Sequence, residues 1–382
     1  MENNCFLSAF LPMAMYSPPL LTSLIAWSSA HLSLRDTSYL EVATRNRCVA
    51  LRDLSNALAS DSGNVETTLA MSLVLCSLES IMADNGNAWY LHLMGAAGVI
   101  TSKLNELDPV GGSEKIAEHM LAEFADAYTG RWLLRNFAYR DIVMSVAQDR
   151  PPLLNSHHFL TLDEPRLPDS HFGLASEILE IISITSRFKQ NLKDNFATIP
   201  IADESDQCGA YYDTSGTQVL DLMTELDSLE TRLVEWTCPS SPDVSLGLLA
   251  ESYRSSAMIH LYRVMHWAFP ERQDELLSKI TGQVAAIVSS VAQMPTRSLP
   301  ECALLFPLFL AGGEATLKSH IRSIRDRMLD MIHSRAFRNV EVALSILEKL
   351  WGRRAAMPLG ESSVQIDWLD IVSQDGLYLS LS

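Results

Sequence analysis

Apolar positions recur along this chain at intervals of three and four, the spacing of a buried helix face, and turn signals cut them into segments. The most informative segment runs from Pro300 to Trp351. It opens with an uncharged run, Leu304 to Ala311, closed by Gly312, Gly313 and Glu314. A charged helix is expected over Thr316–Arg335. A second follows with Val340, Ala343, Leu344, Leu347, Leu350 and Trp351 on one face. Asn339 is placed to cap that second helix and Gly352 to stop it. The segment predicts a buried hairpin of helices, with Pro307 and the glycine pair setting bends.

The remaining segments are also helical. Pro19 suits the first turn of a helix carrying Leu20, Leu24, Trp27, Ala30 and His31. Tyr39–Ala59 has a core face and a charged face. Val65–Met82 is apolar nearly all round, which predicts a central helix covered on every side. In Trp89–Leu104, the Gly95–Gly98 patch is expected to admit another backbone closely. Ile116–Val146 divides into two helices near Thr129 and Gly130, and proline-bearing Asp149–Ser170 is an extended surface connection. Helices then follow over Gly173–Leu192 and Val219–Trp236, and an antiparallel pair, Leu246–Phe269 and Arg272–Met294, folds around Pro270. Leu222, Leu226, Leu229 and Leu233 imitate a zipper, but the span is too short for a coiled coil and ordinary core packing is favoured. No alternating strand and no fixed repeat appears. The expectation is all-α: a large irregular multi-helix domain, one unit over residues 1–382, with a flexible loop at 195–217.

Composition narrows the picture. A 47% hydrophobic, 20% charged chain of 382 residues can bury a sizeable core. Its net charge of −17 repels phosphate backbones, so the polypeptide alone is a poor DNA binder. The six cysteines, at 5, 48, 76, 208, 238 and 302, form no CxxC pair, which excludes a zinc knuckle built from local spacing. Scattered thiols fit a reducing compartment. No Lys, Arg, Asp or Glu occurs from Asn3 to Leu34. Pro12, Pro18 and Pro19 interrupt that run, so a buried helical pair is favoured over a membrane anchor.

Chemistry is hard to find. HExxH, Walker, GxSxG and GxGxxG patterns are absent. His260 and His266 face different sides of a helix, and His157-His158 lacks a Cys or carboxylate companion at ligand spacing. No catalytic, cofactor-binding or metal-binding residue is therefore expected, and the chain does not read as an enzyme. Glu314 has two readings: an acid facing the next helix N-terminus, which is favoured, or a buried acid paired with Arg322 or Arg325 or facing a ligand. Arg135, Tyr139, Arg140 and Asp141 suggest a structural ion pair within an apolar helix. The tail Ile366–Val372 has an acidic–hydrophobic mix that could dock in a partner groove. Core packing is favoured for it, since Trp and aliphatic residues are usually buried.

Several of these segments resemble, in order, the regulatory (middle homology) domain of fungal zinc-cluster transcription factors. The opening motifs are Leu11–Ala14, Ser17–Leu21 and Ala30–Leu32. Trp89 with Leu91–Ala96 follows, then Leu133–Ile142 with Arg150–Leu154. Leu308–Ala315, Leu347–Trp351 and Asp367-Trp368 complete the series. The resemblance implies an all-helical regulatory domain of a nuclear transcription factor, in which an N-terminal six-cysteine zinc cluster reads DNA. Here the opening motif begins at Leu11. The expectation is thus a transcription regulator without its own DNA-reading module and without a cofactor, zinc belonging to the absent cluster. Implied partners are the transcription machinery or a DNA-binding protein, with a homodimer and a small-molecule effector as further options. Direct DNA binding by this chain alone and membrane association are not expected. The alternative is a helical ligand-binding or scaffold protein outside transcription.

Overall fold

The apolar segment Val65–Met82 is helical from end to end, and much of the N-terminal half packs around it. Asn64 Oδ1 accepts from the Thr67 N–H at 2.9 Å, and Ala83 closes the helix in the left-handed conformation at φ +50°. Every side chain from Thr68 to Met82 is buried. Its length and apolarity would suffice to cross a bilayer, yet 83% of it is buried inside the protein. All-round apolarity here marks the centre of a helical body.

The computed structural model describes residues 6–59, 64–83, 86–107, 128–161, 169, 172–197, 212–357, 366–376 and 378–382. The helices are α1 (Leu11–Tyr16), α2 (Pro18–Ser33), α3 (Leu40–Leu58), α4 (Val65–Met82), α5 (Ala88–Leu107), α6 (Tyr128–Ala147), α7 (His157–Thr161) and α8 (Ser176–Ala197). They continue with α9 (Tyr212–Glu235), α10 (Val244–Ala268), α11 (Gln273–Gln293), α12 (Leu305–Glu314), α13 (Lys318–Arg335), α14 (Arg338–Ala355) and α15 (Trp368–Gln374). Among the described residues there is no strand, only a bridge between Asp169 and Gly173. The protein is all-α.

Helix α4 is covered by α2, α3, α5, α6 and α14. Helices α10 and α11 form the antiparallel pair that the sequence predicts, turning through Pro270–Arg272. Helix α10 is the second buried axis, packed by α8, α9, α11 and α12. Leu226, Leu229 and Leu233 of α9 are buried, as core packing requires. One cluster of buried apolar side chains runs from Ala9 to Leu381.

Several expectations fail, each for a local reason. Asn339 does not cap α14. Phe337 holds the cap position, while Asn339 lies inside the helix and donates from Nδ2 to the Ser380 carbonyl at 3.4 Å. Gly352 does not stop α14 either, because exposed helix tolerates one glycine at a cost of about 1 kcal/mol. Pro307 sits in the first turn of α12, where its missing N–H leaves no intrahelical bond unmade, so it sets no bend. Gly312 and Gly313 lie within the same helix, and their role is contact. A Cβ on Gly312 would meet Leu347 Cδ1 at 2.6 Å, and one on Gly313 would meet Trp368 Cε3 at 2.5 Å. By contrast, among the described residues Gly95 and Gly98 have nothing within 4 Å of a Cβ position, and no described backbone approaches there. Helix α6 begins at Tyr128, beside the expected division at Thr129 and Gly130, and the first of the two expected helices falls on residues outside the described ones; α7 interrupts the expected extended connection. Of the expected loop at 195–217, residues 195–197 end α8 and 212–217 begin α9. Residues 198–211 lie outside the described ones, as do 108–127 and the Pro358–Gly360 turn.

Candidate regulatory sites: a tail anchor and an interhelical cleft

The acidic–hydrophobic tail is part of the folded body, held by a part-buried cation. Arg263 projects from α10 between the end of α12 and the start of α15. Its Nη1 donates to Glu314 Oε1 and its Nη2 to Asp367 Oδ2 at 2.5 Å. Its guanidinium carbon lies 3.8 Å from the Trp368 ring centroid. Burial opposes the charge on Arg263, but Glu314 and then Asp367 overcome it and raise its pKa. Asp367 also caps α15 by accepting from the Leu369 N–H at 3.0 Å, and Asp370 completes a capping box. Trp368 lies over the bare backbone of Gly313 and meets Phe309 edge to face, with ring centroids 5.5 Å apart. Arg354 Nη2 holds the Ile366 carbonyl at 2.9 Å. Farther on, Leu379 and Leu381 are buried and the Ser380 hydroxyl donates to Ser80 Oγ at 2.9 Å.

This geometry decides two open readings. The tail packs in the core. Glu314 is an acid whose side chain is largely shielded, and its partner is Arg263. Arg322 faces Asp326 at 3.8 Å and Arg325 pairs with Glu348 at 2.7 Å. Sequence reasoning missed Arg263, although a lone arginine inside the apolar stretch Met258–Trp267 was a usable signal.

The charged residues of α6 do not converge. Arg135 binds Asp169 at 3.0 Å and Ser176 Oγ at 2.9 Å. Arg140 binds Asn136 and Ser77, both at 2.8 Å. Asp141 accepts from the Leu154 N–H at 3.1 Å and from Arg150 at 3.3 Å, while burial pushes its pKa up. Burial likewise raises Tyr139 and Tyr253, whose hydroxyls lie 3.1 Å apart. Each group braces a different neighbour, which is structural work.

His260 is buried with its Nε2 3.0 Å from Ser186 Oγ. Burial, assisted by Lys189 and Arg263, pulls its pKa down to about 3. The cavity beside it, of about 10 Å³, has room for a water. His157 Nδ1 lies 2.8 Å from Glu180 Oε1, and the His158 side chain lies outside the described residues. Among the described residues, no three His, Cys, Asp or Glu side chains gather as metal ligands would.

The larger opening is a cleft of about 270 Å³ between α11 and α13 with α12 at its base. Val288, Val291, Ala292, Leu308 and Ile324 give it apolar wall, and Ser323, Asp326 and Asp330 give it polar wall. Arg327 also lines it. That side chain is spent structurally, with Nη2 3.2 Å from the Met294 carbonyl and 3.1 Å from Glu301 Oε1, while its Nε meets no acceptor among the described residues. The cleft could hold a small apolar molecule with one or two polar groups.

The family model described as the fungal specific transcription factor domain matches residues 1–382. The transcriptional activator protein UGA3 of Saccharomyces cerevisiae is 24% identical over 185 residues, covering 44% of this chain and 35% of that protein. The match thus spans about a third of the length of that curated relative. No solved structure matches the chain.

Proposed function

The chain belongs to the fungal specific transcription factor domain family, and from that premise we propose that it regulates transcription by contact and not by turnover. The family match across the whole sequence carries this reading. The structure supports it with a helical body whose charged side chains serve as braces and whose cleft could take a small molecule with both apolar and polar surface. A net charge of −17 over these residues disfavours the phosphate backbone, so this stretch acts by touching protein; its compartment on this reading is the nucleus. The partner belongs to the transcription machinery or itself reads DNA. An effector seated between α11 and α13 would shift the packing of α13 on α12, and through α12 the Glu314–Arg263 anchor.

The test is a reporter assay with the full chain fused to a foreign DNA-binding module, alongside imaging of the unfused chain. Altered reporter output and nuclear accumulation are expected. An inert fusion at normal protein level, with the unfused chain excluded from nuclei, overturns the reading and favours a helical ligand-binding or scaffold protein outside transcription. Tight, salt-sensitive DNA binding by the purified chain alone overturns the partner requirement.

A further inference from the structure

Cations crowd the small cavity beside His260, where the end of α6 meets α8 and α10. Every side chain lining it is polar, and Arg150, Lys189 and Lys193 stand there against the single acid Asp149. Just behind the wall, Arg187 and Asp141 add one charge of each sign. Two positive charges are thus left over, in a chain whose net charge is −17. Arg150 is also short of an acceptor. Its Nε donates to Gln148 Oε1 and its Nη1 to the Pro151 carbonyl, both at 2.8 Å. Its Nη2 is buried and meets no acceptor among the described residues. A buried charged donor without a partner is costly, and one beside a polar cavity calls for an acceptor inside it. Asp149 cannot make up the deficit. Held in the left-handed conformation at φ +52°, it already shares its carboxylate between Lys189 at 2.5 Å and Lys193 at 2.7 Å.

We propose that this cavity is a binding site for one small inorganic anion of chloride's size, held by Arg150 Nη2 and the two lysines. The volume, about 10 Å³, suits a single occupant near the size of a water and is too small for phosphate or a carboxylate ligand. The sign of the walls selects an anion over a water. Uncompensated positive charge, screened less here than in solvent, stabilises a negative occupant and only orients a neutral one. The ion would join α6, α8 and α10 one turn before Arg263, in the packing that underlies the tail anchor. The site stands apart from the transcriptional reading and is tested without it.

The test follows the melting temperature of the purified full chain as chloride replaces gluconate at constant ionic strength, with the chlorine NMR line width as the direct readout. A saturable rise in melting temperature is expected, with a broadened chloride line that bromide sharpens by competition. Lys193→Gln, at the most exposed of the three cations, should raise the half-saturating chloride concentration roughly tenfold. Asp149→Asn should lower stability in gluconate, since it frees both lysines, yet tighten chloride roughly tenfold by removing the competing carboxylate. A merely structural Asp149 would give the first effect without the second. Equal melting in chloride and gluconate with an unbroadened line means that the cavity holds water, and overturns the proposal. So does a chloride effect that is the same in both variants, which is a general effect of salt.

Discussion

Gly313→Ala adds a single methyl group, and the structure says where it goes. The new Cβ would lie 2.5 Å from Trp368 Cε3 and 2.6 Å from Cζ3, whereas carbon atoms pack comfortably at about 3.5–4.0 Å. The indole must give by about 1 Å. It has little room, being 2% exposed, with Phe309 at its edge and Arg263 over its face. Overpacking of this kind costs about 1–3 kcal/mol. Alanine returns up to about 1 kcal/mol of helix propensity, less here because the residue is next to last in α12. The clash wins by about 1–2 kcal/mol. Gly312→Ala is the control. Its methyl would meet Leu347 Cδ1 at 2.6 Å, the far end of a flexible though fully buried side chain, so the net loss should be smaller, about 0–1 kcal/mol. Removing the obstacle reverses the sign: in a Trp368→Ala background, Gly313→Ala should stabilise by up to about 1 kcal/mol. Urea denaturation of the four proteins gives the cycle, and amide exchange in Trp368–Gln374 should rise first in Gly313→Ala. Equal stabilisation by Gly313→Ala in both backgrounds would refute the reasoning, since Trp368 could not then be seated on that glycine.

Three further outcomes follow from the same contacts. Arg263→Met leaves Glu314 and Asp367 without their cation and should cost about 3–5 kcal/mol, with part recovered by adding Glu314→Gln; recovery of nothing in denaturation curves would mean the two groups do not interact. His92 and His260 are held neutral, His92 pulled down to about 4 by burial and then Arg47, His260 to about 3 by burial and then Lys189 and Arg263. Their folded values lie below the unfolded value of about 6.5, so their contribution is whole above that pH. It is lost as pH falls toward about 4 and about 3, at about 1.4 kcal/mol per pH unit for each; stability measured between pH 7 and 5 should slope less in His92→Gln and His260→Gln. Asp141→Asn removes the charge opposite Arg150 and should cost about 1–3 kcal/mol, read as a lower urea midpoint at pH 7. An unchanged midpoint would show that the Leu154 N–H bond alone carries that site.

Read in order, the chain already announces its class, its central helix α4 and the α10–α11 pair, because periodicity reports which side of a helix is dry and needs no knowledge of its neighbour. It also reveals the ordered motifs that place it in its family. It cannot tell that Gly312 and Gly313 are a seat for Leu347 and Trp368, or that Asn339 reaches the Ser380 carbonyl 41 residues away and does not cap its own helix. Both residue types have a local use and a distant one, and only the distant partner tells which applies. The same holds for Glu314. Local pattern offers it a helix terminus or a nearby arginine, while the fold brings Arg263 from 51 residues upstream and Asp367 from downstream. A buried ion pair is a property of two positions in space, desolvated together, and no spacing along one helix encodes it. The exposed Leu21, Ile25 and Leu32 of α2 are the reverse case: their apolarity is legible in the letters, but that nothing in the described fold covers them is known only once the helices are packed.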